Sequence, residues 1–250
     1  MRLLQPTAEP TCAVPFSALA SLPAPVRAAI EGEALRVNSR YLYEFIEEYA
    51  FCPFAKSGRE AGQTSRYVYY ADSTDLAPLL ALMQQVADDP QQVVAQVIFP
   101  LLEVQADRWL QFCQELTALG HAQRGGAPVL AFAALHPQLR YGTENPFAMV
   151  PLFRRAPDPT LQWARLEGLA QLYEGRDTQT RVVDSAEVFD FVRNAPRPRP
   201  ALYHRVTETN AKMAQMLQIP LIEAQLRDMT EDAQRSYARI LMELLRSPSD

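Results

Sequence analysis

The stretch Val129-Leu130-Ala131-Phe132-Ala133-Ala134-Leu135 is a continuous apolar run, which predicts a β-strand covered on both faces. Two further strand-like segments precede it, at 66–70 and from Val93 to Phe99. Apolar residues recur at helical spacing between the strands, from Leu76 to Ala87 and from Ala106 to Leu116. This alternation predicts an α/β protein with a small, at least partly parallel sheet and crossover helices.

A long helix is predicted upstream of this unit, beginning at Val26. Its apolar stripe is typical of a helix that packs on a core, so we interpret it as core rather than as a cofactor site: Tyr41, Leu42, Phe45, Ile46 and Tyr49. Pro53 disfavours helical geometry at Cys52, so the helix should end near Cys52. Residues 1–25 contain five prolines, and their apolar residues show no sustained helical or strand periodicity. This predicts an irregular N-terminal extension.

The C-terminal part of the chain is predicted to be rich in helix. Thr230 is interpreted as a helix start, as is the pair Asp184 and Glu187. A Pro-rich connector at 195–200 leads to the last helices. The helices are expected over about 160–174, 185–194, 206–218 and 230–246. We therefore predict a single α/β domain over 26–250.

Composition excludes several classes of function. The chain has 250 residues, 48% of them hydrophobic and 21% charged, as in globular proteins. A net charge of −5 argues against nucleic acid and against an anionic membrane surface as partners. No apolar stretch is long enough to span a bilayer. The three cysteines lack metal-ligand spacing, and we expect a reduced, cytoplasmic protein.

Cys52 lies in the phrase Phe51-Cys52-Pro53-Phe54-Ala55, which invites comparison with redox motifs. The position of the second cysteine is taken by Ala55, and the phrase follows a helix rather than a strand. We expect no helix N-terminus to lower the pKa of this thiol. Dithiol redox chemistry is therefore disfavoured.

His136 is the best placed of the three histidines for a function. It follows the third strand directly, and ligands of open α/β sheets bind beyond the carboxyl ends of the strands. His121 is expected in a polar loop, and His204 follows the Pro-rich connector. The alternative is that His136 caps a loop carbonyl.

Several phrases in a fixed order resemble the bacterial family known as domain of unknown function 1415. The resemblance covers about 38–220 and includes a late Asn, matched by Asn210. The phrases are Phe51-Cys52-Pro53-Phe54-Ala55, His136-Pro137-Gln138-Leu139-Arg140-Tyr141-Gly142-Thr143, Pro146-Phe147-Ala148-Met149 and Leu152-Phe153-Arg154. The chain departs from the family where Pro151 replaces a His, and where the loop after Thr143 is compressed.

The resemblance implies positions for a site rather than a reaction. The first hypothesis is a small-molecule enzyme or binding protein with Cys52 as nucleophile and His136 as general base. Arg154 would bind a small anionic ligand, with Thr143 and Asn145 as further binding residues. Arg155 and Arg165 would widen the basic patch. The sequence leaves open whether the protein is an enzyme.

Two other hypotheses stay open. In one, Cys52 and His136 bind zinc or iron together with a carboxylate, Glu48 or Glu47. In the other, the protein is noncatalytic, and Cys52 merely packs. A partner surface would then include the connector at 196–200 and the face of the terminal helix: Ala233, Tyr237, Ile240, Leu241 and Leu244. For that face we favour packing on the protein's own core, and we place Cys113 in the core as well.

Overall fold

The computed structural model describes residues 22–52, 54–69, 76–125, 128–167 and 201–246. The predicted helix at 185–194 and the connector at 195–200 lie outside these residues, as does nearly all of the predicted N-terminal extension. No helix in the described ranges is long and apolar enough to cross a membrane.

A four-stranded mixed sheet forms the centre of the fold. Its strands are β1 (Thr64–Val68), β2 (Val94–Ile98), β3 (Leu130–Leu135) and β4 (Thr160–Arg165), in the spatial order β1-β2-β4-β3. β1 and β2 pair in parallel, and β4 runs antiparallel to both β2 and β3. β1, β2 and β3 therefore all point the same way. The predicted α/β class and partly parallel sheet are confirmed.

Helices cover both faces of this sheet. The described helices are α1 (Ala24–Arg40), α2 (Ala55–Glu60), α3 (Ala77–Asp88), α4 (Ala106–Arg124), α5 (Val150–Phe153), α6 (Ala201–Met216) and α7 (Ile219–Arg246). One face packs on α3 and α4, with Trp109, Leu161 and Trp163 buried between them. Cys113 is part of this core, as predicted. The other face meets α1 and α7 around Ile98.

The predicted helix over 160–174 is wrong in its first part, because β4 occupies Thr160–Arg165, and its last part, 168–174, lies outside the described residues. Leu161 and Trp163 point to one face of the sheet and are both fully buried there, which is the period of two of a strand. Pairing on both sides, with β2 and β3, overrides the helical preference of the local sequence.

The first helix changes geometry before it ends. After α1 the backbone continues as a π-helical segment over Tyr41–Glu47, a feature that is often found near functional sites. The chain then turns, and Ala50 adopts a left-handed conformation with φ of 53°. The helix thus ends slightly before Cys52. Tyr41 and Phe45 are buried in the core, as predicted for the aromatic stripe.

The long helix α7 begins eleven residues earlier than expected, at Ile219 rather than at Thr230. Thr230 lies inside the helix, where its hydroxyl donates to the carbonyl of Leu226 at 3.0 Å. The face with Ala233 and Tyr237 packs against Ile98 and α1, as favoured above. Leu244 lies among the residues whose side chains are not described.

Ion pairs fasten α7 to α1 at the surface. Asp232 accepts from Arg36 at 2.8 Å and from Arg40 at 2.7 Å, and Arg40 also reaches Asp228 at 3.2 Å. These contacts fix how α7 crosses the end of the sheet, next to the site described below.

Candidate functional site

A cavity of about 560 Å³ opens at the edge of the sheet where β1, β2 and β3 end. Its walls are the segment after β2 (101–105), the segment after β3 (136–138) and the segment before β4 (157–159). α7 forms a further wall with Thr230, Ala233, Gln234 and Tyr237. Carboxyl ends of parallel strands are where α/β proteins bind ligands, so this is the first candidate site.

His136 lies in the wall of this cavity with both ring nitrogens engaged. The N–H of Gln138 donates to Nδ1 at 3.1 Å, so Nδ1 carries no proton. Nε2 therefore carries the proton and donates to the carbonyl of Val104 at 2.9 Å. Desolvation lowers the pKa of His136, and the bond to Val104 only partly opposes this. The neutral imidazole thus joins the segment after β2 to the segment after β3. This matches the alternative in which His136 caps a loop carbonyl.

Asp158 is the most unusual polar group of the cavity. Its residue is only 7% exposed, and its Oδ2 accepts from the hydroxyl of Tyr237 at 2.7 Å. Burial raises the pKa of Asp158 to about 7; the bond from Tyr237 opposes this rise, and the charge of Glu33 adds to it. Among the described residues, none donates to the other carboxyl oxygen, Oδ1. Asp158 can therefore exchange a proton near neutral pH.

The backbone beside the cavity is also unusual. Leu101, which follows Pro100, has a φ of 60° although it is not glycine. Such conformations cost free energy and are concentrated at functional sites. Asp158 itself stands between Pro157 and Pro159, which restrict the backbone on either side of it. The wall residues are held in position rather than free to adjust.

The sequence reasoning missed Asp158 and assigned Tyr237 only to a helix face. The available signal was a carboxylate between two prolines, immediately before an apolar strand. It was overlooked because 160–174 was expected to be helical. Without a strand beginning at Thr160, nothing in the sequence placed Asp158 at the end of a sheet.

Cys52 lies between the π-helical segment and α2, outside the residues that line the cavity. Its residue is exposed, yet desolvation raises the thiol pKa, against the backbone N–H groups of Phe54 and Ala55. The expectation of no helix N-terminus is wrong, since α2 begins at Ala55. Desolvation nevertheless outweighs these N–H groups and keeps the sulfur protonated.

The segments of Cys52 and Arg154 both approach the buried phenol of Tyr41. Burial raises the pKa of Tyr41, and the charge of Arg154 opposes this rise. The rings of Phe51 and Phe153 stand 4.5 Å apart, which joins the two segments. The backbone carbonyl of Arg154 also accepts from the N–H of His136 at 3.0 Å. The segments that carry Cys52 and Arg154 are therefore adjacent, while the ring of His136 lies in the cavity wall.

The other two arginines do not extend a basic patch at Arg154. Arg155 donates to the carbonyl of Pro137 at 3.0 Å and pairs with Glu223 at 3.3 Å. Arg165 lies at the opposite edge of the sheet, where it donates to the carbonyl of Ala87 at 2.6 Å. Both guanidinium groups are used by the fold itself.

The polar residues assigned by resemblance have structural contacts. Asn145 caps its own loop, because its Oδ1 accepts from the N–H groups of Phe147 and Ala148, both at 2.9 Å. Asn210 donates to the carbonyl of Phe51 at 2.8 Å and so ties α6 to the segment before Cys52. Thr143 is exposed.

A metal centre finds no support in the described part of the chain. No three His, Cys, Asp or Glu side chains there come close enough together to hold an ion, and this includes Cys52, His136 and Glu48. Glu47 is engaged by Arg59 through two bonds of 2.8 Å.

Comparison with known protein families gives a match over most of the chain. No curated protein matches the chain. No solved structure matches it either. A family model described as protein of unknown function (DUF1415) matches residues 34–186, which is more than half of the chain. The matched region contains Cys52, His136, Arg154 and Asp158. The chain therefore belongs to the DUF1415 family.

Proposed function

We propose that this protein binds a small organic molecule in the cavity at the carboxyl edge of the sheet. The observation that carries the proposal is the buried carboxyl group of Asp158, whose Oδ1 has no donor among the described residues, in the wall of a cavity of about 560 Å³. Ligand cavities in proteins have volumes of roughly 300–1,000 Å³ and combine apolar walls with a few polar groups.

Three features support a ligand rather than an accidental gap. The cavity lies where α/β sheets bind ligands. The position of His136 in its wall is fixed by two hydrogen bonds, which is the preorganisation that binding sites need. Asp158 supplies a group that exchanges protons near neutral pH, so the same site has the means for acid–base catalysis.

Cys52 and Arg154 form a separate, second part of the proposal. Neither Cys52 nor Arg154 lines the cavity. The small anionic ligand expected from the sequence would therefore bind at Arg154, outside the cavity. We also propose a cytoplasmic location, which the free thiols of Cys52 and Cys113 support.

The test is a fragment screen by ligand-observed NMR on the wild-type protein and on Gln234→Trp. Gln234 is exposed at the cavity, so an indole there fills the space without disturbing the core. Gln215→Trp on α6, also at an exposed position, is the matched control. We expect fragments that bind the wild type and the control but lose binding to Gln234→Trp.

If no fragment depends on position 234, the small-molecule proposal fails. The noncatalytic alternative would then be preferred, and the exposed apolar residues at the turn between α6 and α7 would be the place to look for a partner. Met216 there is 78% exposed and Leu221 is 61% exposed.

A further inference from the structure

We infer that the cavity takes a small organic cation, namely a primary amine carried on an apolar body. This inference rests on the proposed function and specifies the ligand class of the same site. It is carried by the charges of the cavity wall, by the Asp158 oxygen that has no donor in the described part of the chain, and by the apolar remainder of the lining.

The charged groups of the wall are all acidic. Asp158 and Glu103 line the cavity, and no Lys or Arg is among the described residues that do. His136 is held neutral by its two hydrogen bonds. Arg155 is not among the residues that line the cavity; it donates to the carbonyl of Pro137 and is paired with Glu223. An anion would meet no compensating charge here, whereas a cation would meet two carboxyl groups.

The buried polar groups of the described wall leave mainly an acceptor free, whereas the amide donors of Gln105, Gln138 and Gln234 lie at exposed positions. Asp158 is more than nine-tenths buried, and its Oδ1 has no donor among the described residues. Tyr237 already donates its hydroxyl proton to Oδ2. The single N–H of the His136 ring is used by Val104. An ammonium group has three donors and no acceptor, so it complements Asp158 better than a hydroxyl group does.

The rest of the lining suits an apolar body. Leu101, Leu102, Pro157, Pro159 and Ala233 contribute hydrocarbon surface around the carboxyl groups. Burial of such surface adds about 25 cal/mol per Å² to binding, without regard to ligand charge. Affinity would therefore come from the body of the ligand, and charge selection from Asp158 and Glu103.

Binding of an amine should be coupled to the ionisation of Asp158. The groups that face this carboxyl are Tyr237 on α7, Glu33 on α1, Glu103 after β2 and His136 after β3. Glu33 is itself paired with Arg36. A bound ammonium favours the carboxylate, so affinity should rise with pH from 6 to 8, where an alkylamine stays protonated.

The experiment uses three probes with a common indole body: tryptamine as the cation, tryptophol as its neutral counterpart and indole-3-acetate as the anion. Affinities for the full-length protein are measured by isothermal titration calorimetry at pH 6 and pH 8. We expect tryptamine to bind about tenfold or more tightly than tryptophol at pH 8. Indole-3-acetate should bind most weakly.

Three variants locate the selectivity. Asp158→Asn should remove most of the preference for tryptamine over tryptophol and its dependence on pH. Glu103→Gln alters an exposed residue that the fold does not need, and it should reduce the preference a few-fold. If Asp158→Asn does not fold, Glu103→Gln still tests whether carboxyl groups of the wall select the cation. Glu115→Gln, an exposed acid on α4, is the control and should change nothing.

The inference is overturned if tryptophol or indole-3-acetate binds as tightly as tryptamine and Gln234→Trp abolishes that binding. In that case the small-molecule proposal survives with another ligand class. It is also overturned if none of the three probes binds. If the fragment screen finds no ligand that depends on position 234 either, the small-molecule proposal fails with it.

Discussion

Cys52 and Asp158 experience the same physical effect with opposite consequences. Desolvation raises the pKa of both groups. For a thiol, whose ordinary value is already above neutral, the rise removes thiolate and so reduces reactivity. For a carboxyl group, it moves the titration to about pH 7, where protons are exchanged under cellular conditions. Asp158, which is less conspicuous in the sequence than Cys52, therefore has the pKa that is better suited to proton exchange at neutral pH.

The largest expected effect is on the pH dependence of stability in Asp158→Asn. The folded pKa of Asp158 is above its unfolded value, so the unfolded chain loses this proton first as pH rises. Asp158 therefore lowers the free energy of unfolding progressively from about pH 4 to about pH 7, and by a constant amount above that. At about 1.4 kcal/mol per pKa unit, the wild type should lose several kcal/mol relative to Asp158→Asn.

Urea denaturation at pH values from 4 to 8 measures this difference. Asp107→Asn, at an exposed position on α4, controls for the loss of one carboxylate. If the free energies of unfolding of the wild type and Asp158→Asn changed in parallel with pH, the pKa of Asp158 would not be raised by folding. The proposed difference between Asp158 and Cys52 would then be wrong.

Tyr237→Phe tests the partner of Asp158. The variant removes the hydroxyl that donates to Oδ2 in a buried position, which should cost about 1–3 kcal/mol. The cost should be larger at pH 8.5 than at pH 5, because the carboxylate needs the donor more than the protonated acid does. Tyr43→Phe, at an exposed residue, should cost little at either pH. An equal cost of Tyr237→Phe at both pH values would contradict the assigned coupling.

Thiol labelling tests the Cys52 side of the comparison. In a variant that retains only Cys52, the labelling rate should rise with a midpoint above the ordinary pKa of a cysteine. Reaction at pH 7 should be slower than that of a short cysteine peptide, about tenfold for each unit by which the pKa is raised. A variant that retains only Cys113 should label more slowly still, since this residue is fully buried. A midpoint near pH 7 for Cys52 would restore the reactive-thiol hypothesis.

Asn145→Ala should show the smallest effect. Loss of the acceptor for the N–H groups of Phe147 and Ala148 should lower the free energy of unfolding by about 1 kcal/mol, similar to the loss of a helix cap. Thr143→Ala at the neighbouring exposed residue should stay within about 0.5 kcal/mol. Equal effects of the two changes on stability would argue against a capping role for Asn145.

Much of the fold follows from local patterns. The apolar runs that became β2 and β3 bury side chains over strand-length stretches, and the periodic segments that became α3 and α4 bury one face. These features are predictable because each element's own residues decide which face is apolar. β4 was not predictable in this way, since its strand geometry comes from pairing with β2 and β3 on either side.

The features of the candidate site can likewise be divided into those that follow from local sequence and those that depend on tertiary contacts. The sequence by itself determined that His136 directly follows a strand and that Cys52 comes shortly after an aromatic helix. Only the tertiary structure brought Asp158 and Tyr237 into contact across 79 positions of the chain, and only it occupied both nitrogens of His136. The physical reason is that desolvation and hydrogen-bond partners, which set protonation and reactivity, are supplied by residues distant in sequence.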